Sequence, residues 1–323
     1  MMSIMRFHVS LPPPIQFLWV WCVRPLLLFA GIPYLCVFIM FAGFQRSLIY
    51  GPAKAARIPT FTSGLNEQQV HSIAVQTPDD LTLNGWHITA MLQSYPDRAA
   101  CDRHLAEGGL VVLFFPGNGG HRGNRMPFFK LLASLNADVF AFDYRGYGDN
   151  AGEPSEAAFA QDALTIWKYL TLARKIEPPR IVIYGESLGG GVAIRLAAQL
   201  CQAGTPPAGI ILCATFPSLV DVGRFHYRWL PVSLFLIDRY PSTALVGDVT
   251  CPILQVHGAQ DSIIPLELGK RLFDAAPPRS ESGIEKRFVT FSNSDHNDIF
   301  DTALPEYRRA LLEFLTQVKA GAE

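Results

Sequence analysis

Short, unbroken apolar runs recur along this chain and alternate with longer helical patterns. The runs are too short for helices, and they are typical of strands that are buried on both faces of a parallel sheet. They lie at residues 110–115, 139–143, 181–184, 210–213, 253–256 and 287–291. Helices are expected between them, at about 124–135, 155–173, 188–203, 266–275 and 303–319. This alternation predicts an α/β fold with a mostly parallel, doubly wound sheet, whose ligands bind beyond the carboxyl ends of the strands.

Two segments depart from that alternation. Residues 70–77 and 81–91 read as an antiparallel strand pair that opens the sheet and turns at Pro78-Asp79-Asp80. Later, some 35 residues, about 216–250, separate two predicted strands, and a loop of that length is usually functional or has structure of its own. We expect a small cap there. Its apolar residues, such as Trp229 and Phe235, either line an acyl pocket or pack the cap onto the body.

The N-terminal region contains a long uncharged stretch. The 21 residues from Pro25 to Gln45 would form a helix of about 31 Å, close to the hydrocarbon thickness of a bilayer. We expect an N-terminal segment (1–24), a single membrane-spanning anchor (25–45), a linker (46–69) and a catalytic domain (70–323). A cleaved signal peptide and a buried core helix are the alternatives. The positive charges that flank the anchor differ by one, so the side on which the domain lies stays open.

Composition and charge exclude several classes of protein. With 49% hydrophobic residues the chain is too apolar to be disordered. Residues 1–60 carry five basic side chains and no acidic one, so the remainder has 22 bases against 28 acids and a net charge of −6. No basic domain is left to bind nucleic acid. The six cysteines lack CxxC spacing and are expected to be small buried hydrophobes, not a disulfide framework or a zinc site.

The sequence Gly185-Glu186-Ser187-Leu188-Gly189 fits the pattern G-x-S-x-G in its required context. A predicted strand precedes it and a helix rich in small residues follows. In that context the serine lies on a strained strand-to-helix turn that exposes its Oγ, so we predict that Ser187 is a nucleophile. The alternative is an ordinary serine that caps the helix.

A serine hydroxyl is a weak nucleophile and needs a general base, which is in turn oriented by an acid. On this architecture the acid and the histidine each follow a later strand, in that order. Asp261 lies just after the run at 253–256, and His296 just after the run at 287–291. We therefore predict His296 as the base and Asp261 as the acid. Asp295 and Asp298 are substitute candidates for the acid.

The developing oxyanion requires backbone N–H donors. One donor is expected from Leu188, the first residue of the helix after the nucleophile. The second is expected from the loop Phe115-Pro116-Gly117-Asn118-Gly119-Gly120, and Asn118 is our choice within it. These groups and the proton relay are all supplied by the protein, so no cofactor and no metal ion is expected.

Taken in order, these motifs resemble those of the α/β-hydrolase superfamily. Within it the chain is similar to the Bem46-like group of membrane-anchored serine hydrolases, including the ABHD13 and ABHD17 types. The resemblance runs from about residue 45 to the C-terminus and includes Gln45–Tyr50, Pro116–Gly120, Asp143–Gly148, Gly185–Gly190, His257–Asp261 and Asp295–Asp298. It implies the α/β-hydrolase fold, hydrolysis of acyl esters or thioesters, and Ser187, Asp261 and His296 as the triad.

The sequence therefore predicts a serine hydrolase that cleaves carboxylic esters or thioesters through an acyl-enzyme. The anchor and the apolar cap favour a lipid-like or acylated substrate and a lipid bilayer as partner. A peptidase or amidase with the same triad is the alternative, and a non-catalytic binding protein on the same fold is a third. The acyl chain, the leaving group and the oligomeric state stay open.

Overall fold

The computed structural model of the chain describes residues 12–60 and 64–321. It divides into two compact units, Met1–Ile49 and Tyr50–Glu323. The sequence-based boundaries at residues 46 and 70 remain predictions about domain organisation.

The N-terminal unit is helical throughout its described part. Its α-helices are α1 (Pro13–Leu18), α2 (Arg24–Leu26) and α3 (Ile32–Ile49), joined by π-helical turns at Trp19–Val23 and Leu27–Gly31. Within it, Trp21–Ile49 is long and apolar enough to cross a membrane, by length and composition. The helix therefore extends beyond the predicted anchor, 25–45, at both ends. Residues 46–49, which we assigned to a linker, are also helical, after a kink at Phe44.

The second unit is built on one eight-stranded sheet with the order β1-β2-β4-β3-β5-β6-β7-β8. The pairs β1–β2 and β2–β4 are antiparallel, and the remaining pairs are parallel. The strands are β1 (Val70–Gln76), β2 (Thr82–Ile88), β3 (Leu110–Phe115), β4 (Ala137–Phe142), β5 (Ile181–Glu186), β6 (Gly209–Cys213), β7 (Ile253–Gly258) and β8 (Arg287–Phe291). The predicted antiparallel opening and the parallel remainder are both confirmed.

The strands β3 to β7 are mostly apolar because side chains on both faces are buried; Asp138, Gln255 and His257 are buried polar exceptions. In β5, for example, Val182 and Tyr184 join one core cluster that includes residues of α5 and α13. Ile181 and Ile183, which alternate with them, are equally buried but lie outside that cluster. A strand with core on both faces has no polar alternation, which explains the sequence pattern.

The helices of this unit match the predicted ones, with additions. They are α4 (Arg98–Ala106), α5 (Met126–Ser134), α6 (Glu156–Lys168), α7 (Leu188–Gln202), α8 (Leu219–His226), α9 (Val232–Phe235), α10 (Ser242–Leu245), α11 (Leu266–Ala275), α12 (Ile299–Thr302) and α13 (Leu304–Ala320). The sequence analysis missed α4, in which charged residues and a histidine interrupt the apolar ones; Asp97 caps it by accepting a hydrogen bond from the N–H of Ala100. The expected cap interval contains the short helices α8, α9 and α10.

Candidate active site

Ser187 lies at the turn between β5 and α7, where the backbone takes an unusual conformation. Its φ is 50° and its ψ is −114°, in a region of backbone conformation that residues other than glycine rarely occupy. The turn is held by two hydrogen bonds. The N–H of Ser187 donates to the carbonyl of Cys213 at 2.8 Å, and the hydroxyl of Thr215 donates to the carbonyl of Ser187 at 2.9 Å. These bonds to the segment after β6 hold the strained turn in place.

The turn is possible only because Gly189 has no side chain. A Cβ atom on Gly189 would lie 2.2 Å from the carbonyl oxygen of Phe115 and 2.6 Å from that of Pro116. Both are backbone atoms, so the clash cannot be relieved by a rotamer change. The second glycine of the motif therefore lets α7 pack directly against the end of β3.

We expect Gly189→Ala to destabilise the fold by at least about 3 kcal/mol, because the overlap with fixed backbone must be relieved by moving β3 or α7. Thermal unfolding of the full chain, followed by intrinsic fluorescence in detergent, measures the effect. Gly247→Ala is the matched control, since no atom lies within 4 Å of a Cβ built there. Equal melting temperatures for the two variants would contradict the packing argument.

The structure brings Ser187, His296 and Asp261 into one hydrogen-bonded chain. Nε2 of His296 lies 3.0 Å from Oγ of Ser187, and Nδ1 of the same ring lies 2.7 Å from Oδ2 of Asp261. These residues are far apart in the sequence and follow β5, β8 and β7. Parallel strands place their carboxyl ends along one edge of the sheet, which is why three distant residues meet there. The arrangement allows the ring to accept the proton of the serine hydroxyl while its other nitrogen donates to a carboxylate.

Asp261 is buried, and its carboxylate is well supplied with donors. Its Oδ1 accepts the backbone N–H groups of Ile263 at 3.0 Å and of Ile264 at 2.6 Å. Its Oδ2 lies 3.3 Å from Nε2 of His257 in addition to its contact with His296. Burial raises the pKa of Asp261, but the hydrogen bonds from His257 and His296 outweigh it and bring the pKa to about 2. The group facing His296 is thus a carboxylate at neutral pH.

The two substitute acids take different places. Asp295 accepts hydrogen bonds from the N–H of Ser262 and from its neighbour's N–H, both at 2.7 Å. Asp298 accepts the N–H of Asp295, also at 2.7 Å. Both carboxylates thus brace the loop that carries His296, while the ring itself pairs with Asp261. His257 has its Nε2 2.8 Å from the carbonyl of Ile264 and braces the loop of Asp261.

The loop from Phe115 to Gly120, here called the glycine loop, lies directly beside Ser187. A Cβ atom on Gly117 would be 3.4 Å from Cβ of Ser187 and 3.2 Å from a carboxylate oxygen of Glu186. Asn118 follows at the next position and Leu188 begins α7, so both predicted oxyanion donors lie in segments that flank the nucleophile. The side chain of Asn118 is engaged elsewhere, because its Oδ1 accepts the N–H of Gly51 and the hydroxyl of Tyr147.

An ion pair that the sequence analysis did not single out lies between the glycine loop and α5. Nε of Arg125 donates to the carboxylate of Glu186 at 2.8 Å, and each side chain is 17% exposed. Glu186 immediately precedes Ser187, so Arg125 compensates the negative charge of Glu186 next to the site. The variable position of G-x-S-x-G carries no signal for such a pair, which only the fold reveals.

The cap interval contacts the loop that holds Asp261. Nε2 of His226, the last residue of α8, lies 2.8 Å from the carbonyl oxygen of Ile263, two residues after Asp261. Phe225 and Ile263 are 42% and 45% exposed. Other apolar residues of the interval divide: Leu230 is buried, whereas Leu234 is 77% exposed. The interval therefore has apolar residues for both roles considered above, packing the cap onto the body and lining an acyl pocket.

A second arrangement of catalytic residue types occurs elsewhere in the fold. Sγ of Cys101 lies 3.4 Å from Nδ1 of His87, whose Nε2 lies 2.7 Å from the carboxylate of Asp138. All three side chains are buried, and burial raises the pKa of Cys101 to about 12. The thiol stays protonated and inaccessible, so this cluster offers no nucleophile. Across the described residues, no group of three His, Cys, Asp or Glu side chains is placed to hold a metal ion.

Comparison with known proteins identifies the family of this chain. The model of the alpha/beta hydrolase family matches residues 112–290. An uncharacterized protein of Mycobacterium tuberculosis is 38% identical over 255 residues, which are 79% of this chain and 81% of that protein. The lysophosphatidylserine lipase ABHD12 of Danio rerio is 33% identical over 276 residues, covering 78% of this chain and 70% of the lipase.

Solved structures support the same fold. The Pyrococcus furiosus esterase Pf2001 superimposes with a TM-score of 0.60 at 16% identity, over 83% of this chain and 98% of the esterase. At that identity the likeness bears on the fold alone. The membership expected from the motifs is confirmed: this chain belongs to the alpha/beta hydrolase family.

Proposed function

We propose that the chain is a membrane-anchored serine hydrolase that releases the acyl chain of monoacyl phospholipids. The single observation that carries the proposal is the continuous relay from Oγ of Ser187 through the ring of His296 to Asp261, with distances of 3.0 and 2.7 Å. A nucleophile, a base and an orienting acid at hydrogen-bonding distance are the parts that acyl transfer requires.

In the proposed reaction, Oγ of Ser187 attacks the acyl carbonyl while Nε2 of His296 takes its proton. Asp261 holds the ring in the tautomer that carries hydrogen on Nδ1 and stabilises the imidazolium. The backbone N–H groups of Leu188 and Asn118 bind the oxyanion, each worth about 3–4 kcal/mol in comparable enzymes. The imidazolium then protonates the leaving alcohol, and a water molecule, activated by the same ring, releases the fatty acid from the acyl-enzyme.

Three features support a lipid as the substrate. The relatives named lysophosphatidylserine lipase ABHD12 are similar over more than three quarters of the chain. The exposed side chains of Phe225 and Ile263 would offer an acyl chain an apolar surface. The N–H of Ile263 donates to Asp261, and His226, the neighbour of Phe225, contacts the carbonyl of Ile263. The chain also carries a helix able to reach across a bilayer.

We propose that this helix is a membrane anchor. Many of its apolar side chains are exposed, among them Trp21 at 70%, Leu26 at 66% and Phe29 at 82%. Apolar surface of that extent is stable in lipid and unfavourable in water. Fractionation of cells that express the full chain tests the proposal: the protein should resist extraction by alkaline carbonate and dissolve in detergent.

The substrate proposal is tested with the full chain reconstituted in phosphatidylcholine vesicles. Release of oleate from 1-oleoyl lysophosphatidylserine and lysophosphatidylcholine is compared with cleavage of an oleoyl amide and of an oleoyl thioester. We expect both lysolipids to be cleaved, the thioester also, and the amide much more slowly, because an amine is the poorer leaving group. Faster turnover of the amide would instead assign the peptidase or amidase function.

A further inference from the structure

The residues that follow the N-terminal helix are hydrogen-bonded to the glycine loop. Residues 50–55, here called the exit segment, follow Ile49 directly. The N–H of Gly51 donates to Oδ1 of Asn118 at 2.9 Å, and Pro52 forms a parallel bridge with Gly120. The loop that supplies an oxyanion donor is thus bonded to a segment some 65 residues earlier in the chain.

The same segment is tied to the turn after β4. Lys54 forms a parallel bridge with Gly148, the N–H of Ala55 donates to the carbonyl of Gly148 at 2.7 Å, and the N–H of Gly148 donates to the carbonyl of Ala53 at 2.9 Å. That turn in turn reaches the glycine loop. The hydroxyl of Tyr147 donates to Oδ1 of Asn118 at 2.7 Å.

Asn118 therefore has two roles, one for its side chain and one for its backbone. Its side-chain oxygen accepts from Gly51 and Tyr147, which fixes the direction of the side chain and with it the rotation of the adjoining peptide. Its backbone N–H is the proposed second oxyanion donor. Gly120, two residues on, has a φ of 71°, in the region that favours glycine.

A second hydroxyl supports the other end of the loop. Tyr144 donates to the carbonyl oxygen of Pro116 at 2.8 Å. Tyr144 and Tyr147 are 5% and 2% exposed, and their rings pack edge to face with centroids 5.8 Å apart. Burial raises the pKa of Tyr147, so its hydroxyl keeps its proton and can donate at neutral pH. The hydroxyl contacts of Tyr144 and Tyr147 thus connect the turn after β4 to the glycine loop.

We propose that the exit segment and Tyr147 are positioning elements of the reaction: through the side chain of Asn118 they hold its backbone N–H in line with the oxyanion. The inference rests on the proposed serine mechanism and goes beyond it, because it makes the chain between the membrane helix and the domain part of the active site. Neither Gly51 nor Tyr147 touches the reacting atoms; each acts through Asn118.

The test uses the full chain in detergent micelles with a p-nitrophenyl ester and, separately, a trifluoromethyl ketone that forms a bound oxyanion. We expect Tyr147→Phe and Asn118→Ala each to lower kcat about 10- to 100-fold, less than the 100- to 1,000-fold of losing a donor outright. KM should change less than about threefold, and the affinity for the ketone should fall by the same factor as kcat. The double variant should lose no more than Asn118→Ala alone, because Asn118→Ala already removes the hydrogen bond that Tyr147→Phe breaks.

Matched controls separate positioning from folding. Tyr307→Phe removes another buried tyrosine hydroxyl, which bonds Tyr184 rather than the glycine loop, and should leave kcat unchanged. At residue 51, Pro removes the N–H donor and Ala keeps it, with the nearest atoms 3.9 Å from the added Cβ. Gly51→Pro should behave like Tyr147→Phe, and Gly51→Ala like the wild type.

The outcomes distinguish the two levels of the argument. If the wild type has no turnover that depends on Ser187, the proposed function itself fails. If that turnover exists but Tyr147→Phe keeps its kcat and its affinity for the ketone, the positioning role is refuted. A fall in melting temperature or a rise in KM that accounts for the whole loss of activity would also refute it, since that pattern describes a structural role alone.

Discussion

Ser187→Ala should reduce kcat for ester hydrolysis about a million-fold, the scale found when a nucleophilic serine is removed from a complete triad. The physical reason is that the reaction then loses its acyl-enzyme route, while the oxyanion donors and the binding surface remain. His296 would still be held by Asp261 at 2.7 Å, so the fold of the site should be unchanged. Release of p-nitrophenol by the full chain in detergent measures the loss.

Covalent labelling provides an independent reading of the same change. A fluorophosphonate probe should label the wild type and leave Ser187→Ala unlabelled. The matched control is Ser134→Ala, whose hydroxyl donates to the carbonyl of Leu131 in α5, away from the site. Ser134→Ala should keep both its labelling and its turnover. Turnover of Ser187→Ala at the wild-type rate would remove this residue from the mechanism.

Asp261→Asn should lower kcat by about ten-thousand-fold, because an amide stabilises the wrong tautomer of the histidine and cannot stabilise the imidazolium. In the wild type Oδ2 of Asp261 lies 2.7 Å from Nδ1 of His296. Asp295→Asn is the matched control: that carboxylate braces the loop but faces backbone N–H groups, and we expect it to cost less than about tenfold. Comparable losses in both variants would show that no single acid orients His296.

The same carboxylate predicts a dependence of stability on pH. Its pKa falls from an ordinary 3.8 to about 2 in the folded chain. Because its pKa is lower in the folded chain, the ionised carboxylate stabilises the fold at pH values above 3.8. This contribution is lost as the pH falls from 3.8 towards 2. The wild type should therefore lose more stability over that interval than Asp261→Asn. Thermal unfolding at a series of pH values measures the difference, and parallel curves for the two proteins would contradict it.

Much of the fold could be read from local patterns. Strands that are buried on both faces are mostly apolar, so β3 to β7 are visible as short runs, and their helical connections imply the parallel sheet. What was missed has local reasons. The helix α4 has charged residues between its apolar ones and lacks a clear apolar stripe, and helical structure at the N-terminus continues past the charged Arg46, which we took as the end of the helix.

The candidate site divides in the same way. The positions of Ser187, Asp261 and His296 after successive strands follow from topology, since the carboxyl ends of parallel strands share an edge. The choice among Asp261, Asp295 and Asp298 does not follow, because all three lie in loops at that edge. It depends on which carboxylate faces Nδ1 of the ring, and in the structure Asp261 takes that place.

By itself, then, the sequence determined the order of strands and helices, an apolar helix at the N-terminus and the motifs whose residues could meet. These depend on neighbours in the chain: periodicity, turn residues and the spacing after each strand. Only the tertiary structure decided that Gly51 and Tyr147 share Asn118, and that Arg125 pairs with Glu186. Such contacts join segments 29 to 67 residues apart through single atoms. They depend on the direction in which each side chain points, which a pattern along the chain does not predict.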